Sequence, residues 1–336
     1  MDKIWHSTNI YLHEPLHRYV EKLTKKMTGD LDNVYIVNSG SEANDLALML
    51  ARLYTKNFEI ISLQNSYHGI TSSILGIMNM GTWKHKPIPN FATHAVMNPD
   101  PYRGPWGGSK CRDCPVQAGR ECNCTATKQC NACDLYIEQL ENHLKHSVPR
   151  NGVAAIIVES IQGAGGTVQF PKGYVKRAFE LVRQYGGICI SDEVQTGFGR
   201  TGEHFWGYEM HGVQPDMVIM AKGIANGFPM AALVIDEEKL QENSHKVGTY
   251  FLQKLASLRD RTEIMGDVRG KGLMIGIELV DNKETRKPLD AARMAAIVEK
   301  TKDNGILVGK GGLYGTRGVA NCAFFICAFA NCADPN

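Results

Sequence analysis

The chain is predicted to be an α/β protein built on a mostly parallel sheet. Strand-like apolar runs alternate with helical stretches, one run is apolar without a break, and chemistry-bearing residues follow directly on the ends of the runs. Alternation of this kind puts helices on both faces of one sheet.

The first unit runs from Val34 to Leu53. Val34 to Val37 is a short apolar run, Asn38-Ser39-Gly40-Ser41 breaks it, and Leu46, Leu50 and Leu53 recur at helical spacing. Val153 to Val158 holds six apolar residues in a row, as in a parallel strand buried on both faces. A helix from Tyr174 to Tyr185 follows, with Val175, Ala178, Phe179 and Val182 on one stripe. Gly186-Gly187 stops it, and Ile188 to Ser191 enters the next strand. Met217 to Met220 and Ala231 to Ile235 are two further strands. From Asp236 the texture changes to charged helices around one strand, Leu273 to Val280. Residues 1–235 are therefore read as a large domain and 236–336 as a smaller one.

Composition narrows the function. With 37 Lys+Arg against 35 Asp+Glu, the net charge of +2 gives no basic field, which argues against nucleic acid as a main partner. No apolar run reaches the roughly 18 residues of a membrane span. The nearest, Gly318 to Ala333, is interrupted by Asn321 and Asn331 and reads as an exposed apolar tail. Met1-Asp2-Lys3-Ile4 has neither a secretory nor a transit pattern. The cysteines are then expected as thiols or metal ligands before disulfides.

Two familiar motifs fail on context. His13-Glu14-Pro15-Leu16-His17 fits the zinc pattern H-E-x-x-H, but Pro15 belongs at the start of a helix, leaving His13 outside it. Gly197, Gly199 and Gly202 fit G-x-G-x-x-G without a helix behind them. Cys111, Cys114, Cys122, Cys124, Cys130 and Cys133 share one Gly-, Pro- and Asn-rich stretch. Its C-x-x-C pairs make Cys111, Cys114, Cys130 and Cys133 candidates for a structural metal, against an exposed loop of free thiols.

The richest constellation is spread over strand ends. Ser39-Gly40-Ser41-Glu42 opens a helix, where backbone N–H groups and hydroxyls can cradle a phosphate; an ordinary Ser N-cap is the competing reading. Tyr67-His68-Gly69 follows another apolar run, and Asp192-Glu193 follows the strand Ile188 to Ser191. A carboxylate buried there needs a partner, expected to be a positive group. Lys222 follows Met217 to Met220, and a lysine in apolar surroundings can form a Schiff base. Phosphate cradle, aromatic ring, Asp and Lys are the kit for pyridoxal phosphate.

Asp192-Glu193-Val194-Gln195-Thr196-Gly197-Phe198-Gly199-Arg200-Thr201-Gly202, followed by Asp216 to Gly223, resembles the class III pyridoxal-phosphate aminotransferases. Pro101-Tyr102-Arg103-Gly104-Pro105-Trp106 and His204-Phe205-Trp206-Gly207 are most similar to the mitochondrial, second type of alanine–glyoxylate aminotransferases within that family. The resemblance implies a type I pyridoxal-phosphate transferase fold, a homodimer, and ping-pong exchange between an amino acid and a 2-oxo acid, with alanine and glyoxylate the expected pair. It implies Lys222 as the Schiff-base and proton-carrying residue and Asp192 as partner of the pyridine nitrogen. Val194 and Tyr67 would flank the ring, with His68 beside Tyr67. Gln195 would reach the ring hydroxyl, Gly40 and Ser41 the phosphate, and Glu159 the substrate side of the pocket. A mitochondrial location follows from the resemblance alone.

The pattern also departs from the family. The family carries a segment before the position of Asn9, and a longer stretch with a Thr-Phe-Gly-Gly-Asn-Pro-like motif where this chain reads Val234 to Gln241. Arg317 is the sole candidate near the end for a carboxylate-binding Arg. A catalytically weak or inactive family member acting by binding alone, and a metal-binding module, stand as alternatives.

Overall fold

The computed structural model describes residues 13–29, 31–84, 91–107, 131–150, 152–231, 240–271, 274–304, 309–311 and 322–327. Helices α1 (Glu14–Thr24) and α2 (Gly40–Thr55) precede strands β1 (Glu59–Leu63) and β2 (Thr93–Val96). Then come α3 (Ala132–Ser147), β3 (Val153–Glu159), α4 (Tyr174–Gln184), β4 (Ile188–Asp192) and β5 (Met217–Ile219). These strands form one sheet in the order β2-β1-β3-β4-β5, with every pairing parallel.

Alternating residues divide the core between its faces. Ile61, Leu63, Ile156, Val158 and Cys189 face α3 and α4, where Tyr136, Leu140, Ala178 and Phe179 are buried. Ile60, Ala155, Ile157, Ile188 and Ile190 face Ala47, Leu48 and Ala51 of α2. Strand β3 is buried along its whole length, as expected for a run with no polar residue before Glu159. Helix α4 buries Tyr174, Val175, Ala178, Phe179 and Val182, the stripe that its sequence spacing defines.

One expected strand comes out differently, and a second lies almost wholly outside the described residues. Val34 to Val37 is not a strand: Val37 makes one isolated antiparallel bridge to Ala231, while Tyr35 and Ile36 are exposed. Of Ala231 to Ile235, only Ala231 lies among the described residues. The two rejected motifs fall as expected. Helix α1 starts at Glu14 with His13 as its N-cap, and no α-helix follows Gly202 before a 3₁₀ turn at Gly207–His211.

The remaining elements are α5 (Leu240–Arg261), β6 (Met265–Lys271), β7 (Met274–Asn282), β8 (Lys287–Pro288), α6 (Ala291–Asp303), β9 (Gly309–Gly311) and β10 (Cys322–Cys327). They form an antiparallel sheet, β6-β7-β10-β9, with β8 beside β7. Leu252, Leu255, Val268, Ile275, Ile277 and Met294 are its core. One strand was expected here, and five are present among the described residues. Of the apolar tail, the described part is β10, whose backbone lies between β7 and β9 and is hydrogen-bonded on both edges. Arg317 lies outside the described residues.

Candidate active site

In a parallel sheet, ligands gather beyond the strand carboxyl ends where the strand order reverses, here between β1 and β3. The sequence-predicted residues converge there. Glu159 ends β3 and Asp192 ends β4, and the two are paired in register. Ile219 is the register partner of Asp192 on β5, three residues before Lys222.

Asp192 is buried, 4% exposed. Its Oδ2 accepts from His68 Nδ1 at 2.8 Å and from Asn44 Nδ2 at 3.1 Å. Its Oδ1 accepts the backbone N–H of Val194 at 3.1 Å. Asn44 Nδ2 also donates to the His68 carbonyl at 2.8 Å, so one amide ties the Tyr67–Gly69 loop to the strand end. Sequence reasoning gave Asn44 no role of its own. Its one signal was position, one turn into α2 from Gly40 and hence on the same helix face.

Glu159 is equally buried, and both its oxygens are occupied. Oε1 accepts the N–H of Tyr67 at 3.1 Å, and Oε2 that of Gly163 at 2.8 Å. Burial pushes its carboxyl up to about 7; the nearby Asp192 acts in the same sense, while His68 and the two N–H donors oppose it. These bonds make Glu159 a staple between the loop after β1 and the turn after β3. The backbone of Tyr67 is thereby fixed, and its ring meets Trp83 edge-on at 5.3 Å.

The start of α2 closes one side. Ser39 is its N-cap, the Oγ accepting from Glu42 N at 3.2 Å, so the plain capping reading holds for this residue. Ser41 instead turns its Oγ to the N–H of Ile70, 3.3 Å away. Gly40 packs so tightly that a β-carbon would lie 3.0 Å from Val194 Cγ2 and 3.4 Å from Ala221. Gly69, at φ +116°, admits no side chain, because a β-carbon would collide with Ser41. Gln195 crowds Gly163 in the same way, and its buried Oε1 has no hydrogen-bond partner among the described residues.

Lys222 opens a 3₁₀ turn, Lys222–Ala225, in the left-handed region at φ +55°. A lysine held there is strained by of order 1 kcal/mol, a cost concentrated at functional positions. It is exposed between buried Ala221 and Ile224, rather than set in apolar surroundings as the sequence suggested.

Glu193 corrects a second expectation. It is fully buried, and among the described residues no cation pairs with it. The Ser160, Ser191 and Thr196 hydroxyls donate to it at 2.5, 3.0 and 2.8 Å, and the N–H groups of Gly207 and Tyr208 at 2.6 and 2.9 Å. Neutral donors therefore offset the cost of burying this carboxylate. Of the cysteine candidates, Cys133 is half-buried at the start of α3, while Cys111, Cys114 and Cys130 lie outside the described residues. Among the described residues no group of three or more His, Cys, Asp or Glu could hold a metal ion.

A family profile described as aminotransferase class-III matches residues 1–238 and 233–317. The chain belongs to the class III aminotransferases. It is 47% identical over 349 aligned positions to alanine–glyoxylate aminotransferase 2, mitochondrial, of Homo sapiens, covering 94% of this chain and 68% of that one. The Arabidopsis thaliana alanine–glyoxylate aminotransferase 2 homolog 2, mitochondrial, is 37% identical over 93% of this chain and 67% of its own length. Among solved structures, this aminotransferase superposes on an amine transaminase of an uncultivated Pseudomonas species in a pyridoxal-phosphate-bound form. The TM-score is 0.76 at 28% identity, covering 96% and 78% of the two chains. An Arthrobacter phospholyase in complex with phosphoethanolamine gives a TM-score of 0.75 at 29% identity, covering 95% and 77%. The match to this family favours an enzyme over a member that acts by binding alone. Among the described residues of this aminotransferase, no helix is long and apolar enough to cross a membrane.

Proposed function

We propose that this chain moves the amino group of alanine, or a related amino acid, to glyoxylate or another 2-oxo acid by a ping-pong route through pyridoxal 5′-phosphate. The observation that carries the proposal is the donor set of Asp192. Two carboxylate oxygens offer about four acceptor sites. Three are filled by His68, Asn44 and Val194, leaving room for one further N–H at the end of β4. A protonated pyridine nitrogen fits that place. The glycines at 40 and 69 fit as well, since both bring backbone against the cradle where a side chain would collide.

When bound, pyridoxal phosphate supplies a carbonyl that captures the amino group and an electron-poor ring that takes up the electron pair left on Cα. The residues of this chain do the rest. Lys222 Nζ would hold the group covalently and, once displaced by the incoming amine, carry the Cα proton. Asp192 would keep the ring nitrogen protonated. Tyr67 and Val194 would confine the ring faces, and Gln195 Nε2 would donate to the ring hydroxyl. The N–H groups of Gly40 and Ser41, at the positive end of α2, would hold the phosphate. His68 orients Asp192, and Glu159 holds the Tyr67 backbone in place.

The names of the 47% and 37% identical relatives support alanine and glyoxylate as substrates and a mitochondrial location. A homodimer is supported by the apolar outer face of α2, where Met49, Leu53 and Tyr54 are 50%, 67% and 78% exposed. The division into residues 1–235 and 236–336 is supported by the two separate sheets. The test is the pair of half-reactions. Cofactor-loaded protein incubated with alanine should release pyruvate in stoichiometric amount and then, freed of alanine, convert glyoxylate to glycine. Loaded protein that yields no pyruvate refutes the reading.

A further inference from the structure

The second sheet contains a buried cation whose bonds lead back to the site. Arg269 on β6 is 7% exposed. Its Nε and Nη2 both donate to the carbonyl of Gly166, at 3.1 and 2.9 Å. Its Nη1 donates to Asp267 Oδ2 at 3.0 Å and to Glu278 Oε2 at 2.7 Å. The other oxygen of Glu278 takes Arg103 Nε, at 2.5 Å, from the loop after β2. The guanidinium is therefore clamped by its own sheet on one side and grips the first sheet's turn with the other.

We infer that Arg269 is a positioning residue for the cofactor pocket, holding the Gly163–Gly166 turn so that Tyr67 and Gln195 are presented to the ring. The inference rests on the cofactor reading above. The path has no loose joint. Gly166 N and Thr167 N both donate to the Gly163 carbonyl, at 2.9 and 3.1 Å, so the turn moves as one piece. Gly166 at φ +111° and Thr167 at φ +55° fix its shape. Gly163 N is bonded to Glu159, whose other oxygen holds Tyr67 N. Gly163 packs against the Gln195 carboxamide with no room for even a β-carbon between them, so a move of the turn in that direction displaces the amide. A shift of the Gly166 carbonyl thus reaches a ring-facing aromatic and a ring-facing amide through hydrogen bonds and one steric contact.

Arg269→Lys separates positioning from mere support. Lysine keeps a charge toward Asp267 and Glu278 but cannot reproduce the two-pronged grip on one carbonyl. Leu279→Ala, in the core of the same sheet, serves as a control that loosens the sheet without touching the turn. Two quantities are read. One is amide hydrogen exchange across Tyr67 and Gly163 in protein stripped of cofactor. The other is the dissociation constant of pyridoxal phosphate, followed with the position of its visible band. For Arg269→Lys, exchange at both amides should rise and the dissociation constant should increase about tenfold, as expected for one charge-assisted bond. For Leu279→Ala the melting temperature should fall while both readouts stay near wild type. Equal effects from the two variants, or no effect from Arg269→Lys, overturn the inference. Wild-type protein that binds no pyridoxal phosphate overturns the cofactor reading instead, and the exchange measurement still decides whether Arg269 controls the turn.

Discussion

Glu159→Gln tests the electrostatics of the site through stability. Glutamine keeps one acceptor, for the N–H of Tyr67 or of Gly163, and turns an amide N–H₂ toward the other. One buried donor is left unsatisfied, a loss of about 1–3 kcal/mol at every pH. The pH-dependent part comes from the carboxyl itself. Burial raises it from 4.5 to about 7 in the folded chain, so between these values the folded state binds more protons than the unfolded one. Stability from this group is then complete below pH 4.5 and is lost as pH rises through 7. At about 1.36 kcal/mol per unit, the full loss is ~3 kcal/mol, of which about 2.5 kcal/mol falls between pH 5 and 8. Urea melts of cofactor-free wild type and variant at pH 5, 6, 7 and 8 measure it. The wild-type advantage over Glu159→Gln should shrink by about 2–3 kcal/mol across that range. An advantage that is constant to within about 0.5 kcal/mol, or that grows with pH, refutes the assignment of a raised carboxyl at this position.

Other changes should act in distinct ways. Asp192→Asn leaves His68 Nδ1–H facing an amide and removes the carboxylate proposed to face the ring nitrogen. The alanine half-reaction should slow at least about 100-fold in stopped-flow traces, with the cofactor still bound. Gly69→Ala forces a β-carbon toward Ser41 at φ +116° and should weaken pyridoxal phosphate more than tenfold in equilibrium dialysis, an order-of-magnitude expectation from strain of about 1–3 kcal/mol. Phe179→Ala empties the core between α4 and β4, far from the strand ends. It should cost about 3–5 kcal/mol in urea melts and leave the cofactor dissociation constant unchanged.

The large sheet was legible wherever burial is the same on both faces. Val153 to Val158 is apolar throughout because α2 packs on one side of it and α3 and α4 on the other, so no periodicity had to be guessed. Strand β6 was not legible. It reads Met-Gly-Asp-Val-Arg-Gly-Lys, and its Asp267 and Arg269 are buried because they pair with each other and with Glu278 on the next strand, which periodicity cannot reveal. The site divides in the same way. Asp192 and Lys222 announce themselves by position, Asp192 as the last residue of β4 and Lys222 shortly after β5. Asn44 does not, because its partners stand 24 and 148 residues away and meet it only in the folded sheet. Glu193 misled because burial suggested a cation, whereas three hydroxyls and two backbone N–H groups suffice.

The central claim is that Lys222 holds pyridoxal phosphate opposite Asp192. The most direct test is to load the protein, reduce it with borohydride, digest it and locate the phosphopyridoxyl mass by peptide sequencing. The account predicts a visible band that reduction removes, one phosphopyridoxyl group per chain on the peptide containing Lys222, and no label in Lys222→Ala. Label on another lysine, or an unlabelled wild-type chain, contradicts it.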